Sequence, residues 1–346
     1  MEPMGPPPPH DAATARISVS LVALPDAFLS CLIGLYDTFN VSAATVVPGR
    51  LPFDIELVGQ ERHVDSRASG LPITTHRTIS EVERTDVVIV PSTVTDDPPW
   101  SPGRYPDVVD WLQAMHQGGA VVSSACSGAL LLAEAGLLDG QQATTHWNEA
   151  ERFGTHFPDV ELRLDRELVV SGLDGRIVTA GAASAWHDLA LYLIARYSTP
   201  DIARAVAKFF MLQWHSDGQT PYLGFEVDLR HGDADVVRAQ SWLDIHLDHP
   251  DAVSAMANAS GLPERTFTRR FRLATGHAPT AYVQHVRVEA AKRLLETTTQ
   301  PIEQICWSVG YDDPASFRRL FKRITAITPG AYRRRFVEPI GLRTSP

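Results

Sequence analysis

Cys126 is the residue in the first half of the chain whose surroundings best suit nucleophilic chemistry. It follows the buried-strand pattern at 120–124 and precedes Ser127, Gly128 and the apolar helical stretch 129–135. A residue at a strand-to-helix turn lies above the carboxyl edge of a sheet, where open α/β folds bind their ligands. The N–H groups that begin the helix also stabilise a thiolate. The pattern is typical of a nucleophile elbow, and equally of a small, buried and inert cysteine.

Two copies of a helical pattern with outward-facing arginines lie near the end of the chain, within 253–322. In each copy an apolar helix, a glycine turn and a second helix follow one another. Phe267 and Phe271 are four residues apart and share one helical face, as do Phe317 and Phe321. The arginines that follow the first phenylalanine of each pair therefore point outward, where they suit a DNA major groove. The pattern predicts two helix-turn-helix units.

Strands that alternate with helices must position Cys126. Apolar or alternating runs predict the strands, and runs with helical spacing predict the helices between them. The strands are expected at 17–24, 53–58, 86–90, 120–123, 167–170 and 176–179, and the helices at 27–39, 104–117, 129–135, 184–197 and 203–212. Asp174-Gly175 lies between the last two strands and is a strong hairpin signal. The order predicts a mostly parallel sheet that is covered by helices on both faces.

Charge is divided unevenly along the 346 residues, a length that favours two domains. The formal net charge of −10 by itself argues against nucleic acid. From Val236 onward, however, 16 Lys and Arg stand against 10 Asp and Glu, a balance of +6, whereas residues 1–235 carry 15 against 31, a balance of −16. Such a difference is expected when one end of the chain binds DNA and the other does not.

The domain boundaries follow from these patterns. Residues 1–15 include four consecutive prolines and are expected to form a disordered or extended tail. We expect an α/β domain at 16–200, a linker at 201–235, the helix-turn-helix domain at 236–336 and a second tail at 337–346. The three cysteines are too few and too scattered for a disulfide framework, and no apolar run suggests a membrane span or a secretory signal. These features favour a cytoplasmic protein with no membrane partner.

The last hundred residues resemble the DNA-binding domain of the AraC/XylS family of bacterial transcription regulators, in which a long helix joins two helix-turn-helix units. The resemblance rests on both units and on Gly276, Pro279, Tyr282, 287–295 and 328–333. It implies that the second helix of each unit enters one of two successive major grooves of promoter DNA. The positions that match the family's groove-facing side chains are Arg265, Thr268, Arg269, Ser316, Arg318 and Arg319. RNA polymerase is a further partner that the resemblance implies.

Residues 16 to about 200 resemble the ThiJ/PfpI branch of the class I glutamine amidotransferase-like superfamily. The matching stretches are Val90-Pro91, 125–129, 135–140, 143–147 and 179–181. The resemblance implies an α/β sandwich of flavodoxin-like type with a site at Cys126. Such a domain placed before an AraC-type domain is the architecture of GlxA-like regulators, which implies a homodimer controlled by a small-molecule effector. Similar regulators suggest nitrogenous effectors, such as amino acids, carnitine or betaine-like molecules.

One departure from the superfamily bears on catalysis at Cys126. Its enzymes place a carboxylate from the segment after the first strand against the nucleophilic cysteine, and the alignment puts Cys31 at that position. A thiol cannot polarise or protonate a substrate as a carboxylate does, and Asp26 and Asp37 are the neighbouring acids. His146 is the remaining candidate base, and it is as often a pocket wall as a base. We therefore expect a domain without catalytic activity.

The preferred interpretation is a sequence-specific transcription regulator, an activator, whose first domain senses a metabolite without a cofactor or a metal. The expected ligand pocket gathers Cys126, Ser127, Cys31, His146, Trp147 and Ser92. Three alternatives use the same residues. They are a cysteine-dependent hydrolase or hydratase at Cys126, a redox sensor in which Cys31 and Cys126 form a disulfide, and a metal site with Cys31, Cys126 and His146 as ligands. Cys306 shares helical spacing with apolar neighbours, which indicates core packing.

Overall fold

The computed structural model describes residues 16–41, 53–67, 69–96, 99–215 and 217–337. The chain divides into two compact units, Met1–Gln219 and Thr220–Pro346. The tails predicted at 1–15 and 337–346 lie outside the described residues, apart from Val337. In the described part of the chain, every helix is too short or too polar to cross a membrane.

The strands of the first unit are β1 (Ile17–Val22), β2 (Phe53–Gly59), β3 (His63–Asp65), β4 (Pro72–Thr74), β5 (Arg77–Thr78), β6 (Val87–Val90), β7 (Val121–Ala125), β8 (Gln142–Ala143), β9 (Glu161–Leu162), β10 (Leu168–Ser171) and β11 (Ile177–Ala180). Seven of them form one sheet in the order β10-β11-β7-β6-β1-β2-β5. Only the hairpin of β10 and β11 is antiparallel within that sheet. The apolar strands β6 and β7 are buried along their whole length, as central parallel strands are. The predicted parallel sheet is confirmed.

Helices cover both faces of this sheet, and they are α1 (Leu29–Val41), α2 (Pro106–Gln117), α3 (Ala129–Glu134), α4 (Ala150–His156), α5 (Trp186–Tyr197) and α6 (Pro200–Phe210). One apolar core contains side chains of α1, α5 and α6, and the other contains side chains of α2 and α3. The first unit continues past the predicted boundary at residue 200. Ala203, Val206 and Ala207 share one face of α6 and are buried in the first core, so the predicted linker begins inside a folded helix.

The second unit is helical in its described part, with α7 (Ala234–Ile245), α8 (Ala252–Ser260), α9 (Glu264–Thr275), α10 (Pro279–Thr297), α11 (Ile302–Ser308), α12 (Pro314–Thr325) and α13 (Pro329–Phe336). The two predicted helix-turn-helix units are α8 with α9 and α11 with α12, and α10 joins them. Phe267 and Phe271 are fully buried in one apolar cluster, and Phe317 and Phe321 in a second. The aromatic face that the sequence predicted for each second helix is therefore the buried one.

Local chemistry fixes the turns of both units. Gly261 ends α8 with a φ of 75°, a left-handed conformation that favours glycine. Asp313 caps α12 as predicted, because its carboxylate accepts hydrogen bonds from the backbone nitrogens of Ala315 at 3.1 Å and Ser316 at 3.0 Å. Pro314 at the first helical position lacks the N–H that would otherwise need a partner. Thus α8 ends, and α12 begins, at a defined residue.

Arg287 of α10 connects the two halves of the second unit. The side chain is buried and donates hydrogen bonds to the carbonyl oxygens of Leu247 at 2.9 Å, His249 at 2.7 Å and Gly310 at 3.0 Å. Its guanidinium lies 5.2 Å from the ring centroid of Tyr311. Gly310 has a φ of 82°, and a Cβ there would lie 2.7 Å from the guanidinium. One side chain therefore ties the segment between α7 and α8 to the turn between α11 and α12.

Candidate functional site

Cys126 lies directly after β7, at the carboxyl edge of the sheet. Its φ of 54° falls in the left-handed region, where a residue other than glycine costs about 1–3 kcal/mol. Gly128 lets this turn pack against the end of β6, because a Cβ there would lie 2.6 Å from the carbonyl oxygen of Pro91 and 2.7 Å from that of Val90. The structure thus has the strained strand-to-helix turn that the sequence predicted, and such turns are frequent at ligand sites and active sites.

The thiols of Cys31 and Cys126 are both buried, and burial raises the pKa of each to about 11. The backbone nitrogen of Ser92 donates to Cys31 Sγ at 3.5 Å. The Ser92 hydroxyl lies beside both sulfurs and lowers the pKa of each thiol, but this effect is smaller than that of burial. The hydroxyl forms no well-aligned hydrogen bond with any described atom. Both thiols are therefore protonated at neutral pH. The arrangement brings three of the predicted pocket residues together.

Ser127 contributes to the site and to the scaffold around it. The hydroxyl donates to the carbonyl oxygen of Thr93 at 2.7 Å and accepts from the backbone nitrogen of Thr93 at 2.8 Å. The Ser127 N–H and hydroxyl both lie near the Cys126 sulfur and lower the pKa of that thiol, against the larger effect of burial. The same side chain thus holds the loop after β6 against the cysteine turn.

Asp26 and Asp37, the acids that neighbour Cys31 in the sequence, have surroundings of their own in the structure. Asp26 is buried and accepts a hydrogen bond from the Tyr105 hydroxyl at 2.6 Å. It also forms ion pairs with Arg67 at 3.0 Å and Arg104 at 2.8 Å. Asp37 lies on the exposed side of α1. The interpretation that Cys31 stands where an acid is expected is therefore consistent with the positions of both aspartates.

His146 and Trp147 form a half-buried aromatic pair beside this turn, with ring centroids 4.0 Å apart. The imidazole Nδ1 accepts a hydrogen bond from the backbone nitrogen of Asn148 at 3.2 Å, which places the proton of the neutral ring on Nε2. Burial lowers the pKa of His146, and the nearby Glu149 carboxylate acts in the opposite direction. The hydroxyl of the preceding Thr145 donates to the Cys126 carbonyl oxygen at 2.9 Å, which holds this segment to the cysteine turn.

Glu149 is a buried acid near Cys126 that the sequence analysis did not single out. Its carboxylate accepts from the Thr95 hydroxyl at 2.9 Å and forms an ion pair with Arg152 at 2.7 Å. Its charge raises the pKa of Cys126, in addition to the larger effect of burial. The i,i+3 spacing of Glu149 and Arg152 indicates a helical ion pair, but nothing local in the sequence places that pair beside the cysteine.

A hydrogen-bonded route links the Cys126 turn to Gln219, the last residue of the first unit. The buried Gln219 side-chain nitrogen lies 3.0 Å from the carbonyl oxygen of Thr145 and 3.0 Å from the hydroxyl of Thr144. Thr145 in turn donates to the Cys126 carbonyl oxygen. Gly181 makes room for the amide, because a Cβ there would lie 2.3 Å from its nitrogen. Two hydrogen-bonded steps therefore separate the cysteine turn from the point where the chain leaves this unit.

The exposed face of α9 carries Arg265, Thr268 and Arg269, the three positions predicted to face DNA in the first helix-turn-helix unit. Within the described residues neither Arg265 nor Arg269 forms an ion pair. Arg270, between the exposed and the buried faces, forms ion pairs with Asp233 at 2.6 Å and Asp235 at 2.8 Å. Arg270 therefore connects α9 to the start of α7. The arginines of α9 thus include one that binds within the protein and two, Arg265 and Arg269, that face outward.

The exposed face of α12 carries Ser316, Arg318 and Arg319, the predicted positions of the second unit. Arg318 forms an ion pair with Glu303 of α11, and both side chains are roughly half exposed. Arg319 donates to the Ser316 hydroxyl at 2.7 Å. All six predicted positions thus lie on exposed helical surface, and those of α12 have more partners within the protein than those of α9.

Comparison with known proteins assigns both units. Residues 256–335 match the model of a helix-turn-helix domain family, and residues 33–196 match the DJ-1/PfpI family. The chain is 28% identical over 226 residues to the HTH-type transcriptional regulator CdhR of Pseudomonas aeruginosa, which covers 65% of this chain and 66% of the relative. It is 30% identical over 226 residues to the HTH-type transcriptional regulator GlxA of Rhizobium meliloti, with 65% and 68% covered. The chain thus spans about two thirds of the length of these relatives.

The fold and these matches define the class as an HTH-type transcriptional regulator with a DJ-1/PfpI domain before an AraC-type DNA-binding domain. The chain belongs to the GlxA-like family of such regulators. A crystal structure of an AraC family transcriptional regulator from Pseudomonas putida also aligns with 56% of this chain and 99% of that chain, at 17% identity and a TM-score of 0.47. The match to the GlxA regulator confirms the family that the sequence motifs indicated.

Proposed function

We propose that the first unit binds a small metabolite at the Cys126 turn and that this binding controls how the second unit binds promoter DNA. The hydrogen-bonded route from Cys126 through Thr145 to Gln219 is the observation that carries the proposal. A ligand that displaces the cysteine turn changes the position or the partners of Gln219, after which the chain enters the DNA-binding unit. A ligand can act in this way only if it binds the two arrangements with different affinity.

The proposed pocket consists of Cys126, Cys31, Ser92, the backbone N–H of Ser127, His146, Trp147 and, in addition to the residues expected from the sequence, Glu149. The effector is a small nitrogenous compound. An indole face and a carboxylate suit a cationic nitrogen, since the ring quadrupole and the negative charge both attract it. Such a ligand would compete with Arg152 for Glu149.

We propose that this site binds its ligand without converting it. A thiol with a pKa of about 11 is protonated at neutral pH, and the nucleophile in cysteine chemistry is the thiolate. The buried acid near Cys126, Glu149, is paired with Arg152, and the Nδ1 of His146 is occupied by a backbone N–H. A cysteine-dependent hydrolase or hydratase, the alternative from another class, requires these three features to change when a substrate binds.

For the second unit we propose sequence-specific contacts from Arg265, Thr268 and Arg269 of α9 and from Ser316, Arg318 and Arg319 of α12. The two helices are proposed to enter successive major grooves, with Arg287 fixing their relation. We propose further that the regulator acts as a homodimer on repeated half-sites and activates transcription through RNA polymerase. Its location would then be the cytoplasm, because DNA is its partner.

Binding and turnover can be tested on the full chain. DNA selected by the protein from a random pool supplies an operator, and candidate amines, amino acids and betaines are titrated by calorimetry. We expect one of them to bind without product and to change operator affinity by about fivefold or more. Trp147→Ala should weaken ligand binding and leave the ligand-free operator affinity unchanged. Turnover of an amide or isocyanide that disappears in Cys126→Ser would contradict the sensor and support the hydrolase or hydratase.

A further inference from the structure

Three side chains that commonly bind metal ions converge where α5 begins, outside the residues assigned to the Cys126 pocket. His187, Asp188 and His215 each present a ligand atom, and these atoms lie within 4.8 Å of one another. Asp188 Oδ2 is 2.6 Å from His215 Nδ1 and 3.4 Å from His187 Nδ1. The two imidazole rings are stacked with centroids 4.9 Å apart. One carboxylate oxygen therefore lies within reach of two imidazole nitrogens from different segments of the first unit.

The surroundings of this cluster favour the forms that bind metals. The Asp188 side chain is only 4% exposed, and its other oxygen accepts from the backbone nitrogen of His215 at 3.0 Å. His187 Nδ1 is buried and has no hydrogen-bond partner among the described atoms. An imidazole nitrogen without a hydrogen-bond partner, 3.4 Å from a buried carboxylate oxygen, can coordinate an ion.

Glu167 adds a second carboxyl group at the edge of the cluster. Glu167 is partly buried and lies directly before β10. The segment that carries His215 also passes beside this carboxylate, because a Cβ on Gly218 would lie 3.5 Å from Glu167 Oε2. Two carboxyl groups and two imidazoles, from the residue before β10, from α5 and from the segment after α6, thus lie in one region.

We propose that His187, Asp188 and His215 bind a divalent transition metal ion such as Zn²⁺, with Glu167 or water in the remaining position. Imidazole nitrogens with a carboxylate oxygen select zinc and its neighbours over magnesium or calcium. With metal–ligand bonds of about 2.0–2.1 Å, ligand atoms around tetrahedral zinc are separated by about 3.4 Å. The separation of His187 Nδ1 and Asp188 Oδ2 already has that value.

Coordination requires one hydrogen bond to open. If His215 coordinates through Nδ1, the proton shared with Asp188 at 2.6 Å leaves to solvent as the metal takes its place, and the two atoms separate by about 0.8 Å. The bound ion would hold His215, which lies four residues before Gln219 in the sequence. This inference concerns ion binding alone and does not depend on the effector or on the DNA function proposed above.

Zinc uptake by the full chain, after treatment with a chelator, tests the proposal. Calorimetry in two buffers of different ionisation enthalpy is expected to show one Zn²⁺ per chain and release of protons. His187→Phe keeps the ring stacked on His215 but removes a ligand, and it should weaken zinc binding by about tenfold or more. His146→Phe is the matched control and should bind zinc as the wild type does, which separates this cluster from a site at the cysteines.

Cobalt provides a second readout that does not depend on how well a variant folds. Co²⁺ bound by the wild-type chain should show the visible bands of a tetrahedral nitrogen and oxygen site, without the near-ultraviolet charge-transfer band that thiolate ligands produce. Absence of zinc uptake, equal affinity in His187→Phe, loss of uptake in His146→Phe, or a thiolate band would each overturn the proposal. In those cases Asp188 serves only to hold His215 by hydrogen bonds.

Discussion

Arg287→Ala is expected to destabilise the second unit by about 3–5 kcal/mol, because it leaves three backbone carbonyl oxygens without their charged hydrogen-bond donor. The arginine is 6% exposed and makes three hydrogen bonds, to Leu247, His249 and Gly310. Hydrogen bonds from a charged donor each contribute about 1.5–3 kcal/mol, and they are not additive here because water can reach part of the vacated space. The loss is therefore expected to be smaller than the sum of three such bonds.

Arg293→Ala is the matched control for this change. Arg293 lies on the same helix and is exposed, so its substitution removes the same charge without removing buried contacts. Unfolding in urea can be monitored by the hydrogen exchange of peptides from α10, which reports on the second unit separately from the first. Arg287→Ala should lose protection at a much lower urea concentration than Arg293→Ala. If the two variants lose protection at the same concentration, the three carbonyl contacts do not stabilise the unit.

Arg287 also predicts a DNA phenotype that loss of stability alone does not produce. The wild type should prefer one spacing between the two groove contacts, since the side chain fixes one helix-turn-helix unit against the other. Arg287→Lys keeps the charge but cannot hold three carbonyls with a planar fork, so we expect a flatter dependence of affinity on spacing. The measurement is operator affinity for DNAs with one or two base pairs inserted, at a temperature where the variant is folded. An unchanged spacing preference would refute the coupling role.

Three further predictions concern the two proposed sites. Arg269→Ala should weaken specific DNA binding by about 1–3 kcal/mol and reduce the salt slope, and Arg319→Ala should do the same; unchanged affinity and slope in both would show that the helices are misplaced. Gln219→Ala should leave effector binding intact and abolish its effect on operator affinity, whereas an effect equal to that of the wild type would exclude the route through Thr145. Alkylation of Cys126 should be slow at pH 7 and rise about tenfold per pH unit up to pH 11, because the folded thiol loses its proton only near that pH. Between the ordinary thiol pKa of 9.0 and the raised value, the Cys126 thiol is more ionised in the unfolded chain than in the folded one, so the stability of the fold should decrease as pH rises through that range. An alkylation rate that stops rising near pH 9 would contradict the burial of this thiol.

Most of the fold could be predicted because its signals are local. The apolar runs of β6 and β7 and the paired phenylalanines of α9 and α12 define their elements without reference to distant residues. The Cys126 turn is similarly local, since a strand, two small residues and a helix follow one another in sequence. The predicted boundary at residue 200 precedes α6, because α6 is amphipathic and only the tertiary structure shows which core its apolar face joins.

The contacts that sequence analysis missed depend on long separations along the chain. Gln219 reaches Thr144 across 75 residues, and His215 reaches Asp188 across 27. Residues 211–219 have the composition of a polar loop, and no periodic pattern in their sequence predicts which of them contact the first unit. Glu149 is held near Cys126 by its hydrogen bond from Thr95, which follows β6, and by the contact of the nearby Thr145 with the cysteine turn. A buried polar residue therefore becomes visible only when its partners are known.

The number of arginines does not predict which of them contact DNA. The free energy needed to release each arginine from its partners within the protein is a better guide. The ion pair of Arg318 with Glu303 joins two side chains that are roughly half exposed, and such a pair contributes about 0–1 kcal/mol. A bidentate contact to guanine contributes about 1–3 kcal/mol of discrimination, so Arg318 remains available to DNA despite its partner. Arg270 differs because two aspartates bind it, and one of them, Asp233, also caps α7. Releasing that arginine would disturb a helix start as well as two ion pairs, which is why the exposed arginines of α9 and α12, and not Arg270, are the ones expected to read the operator.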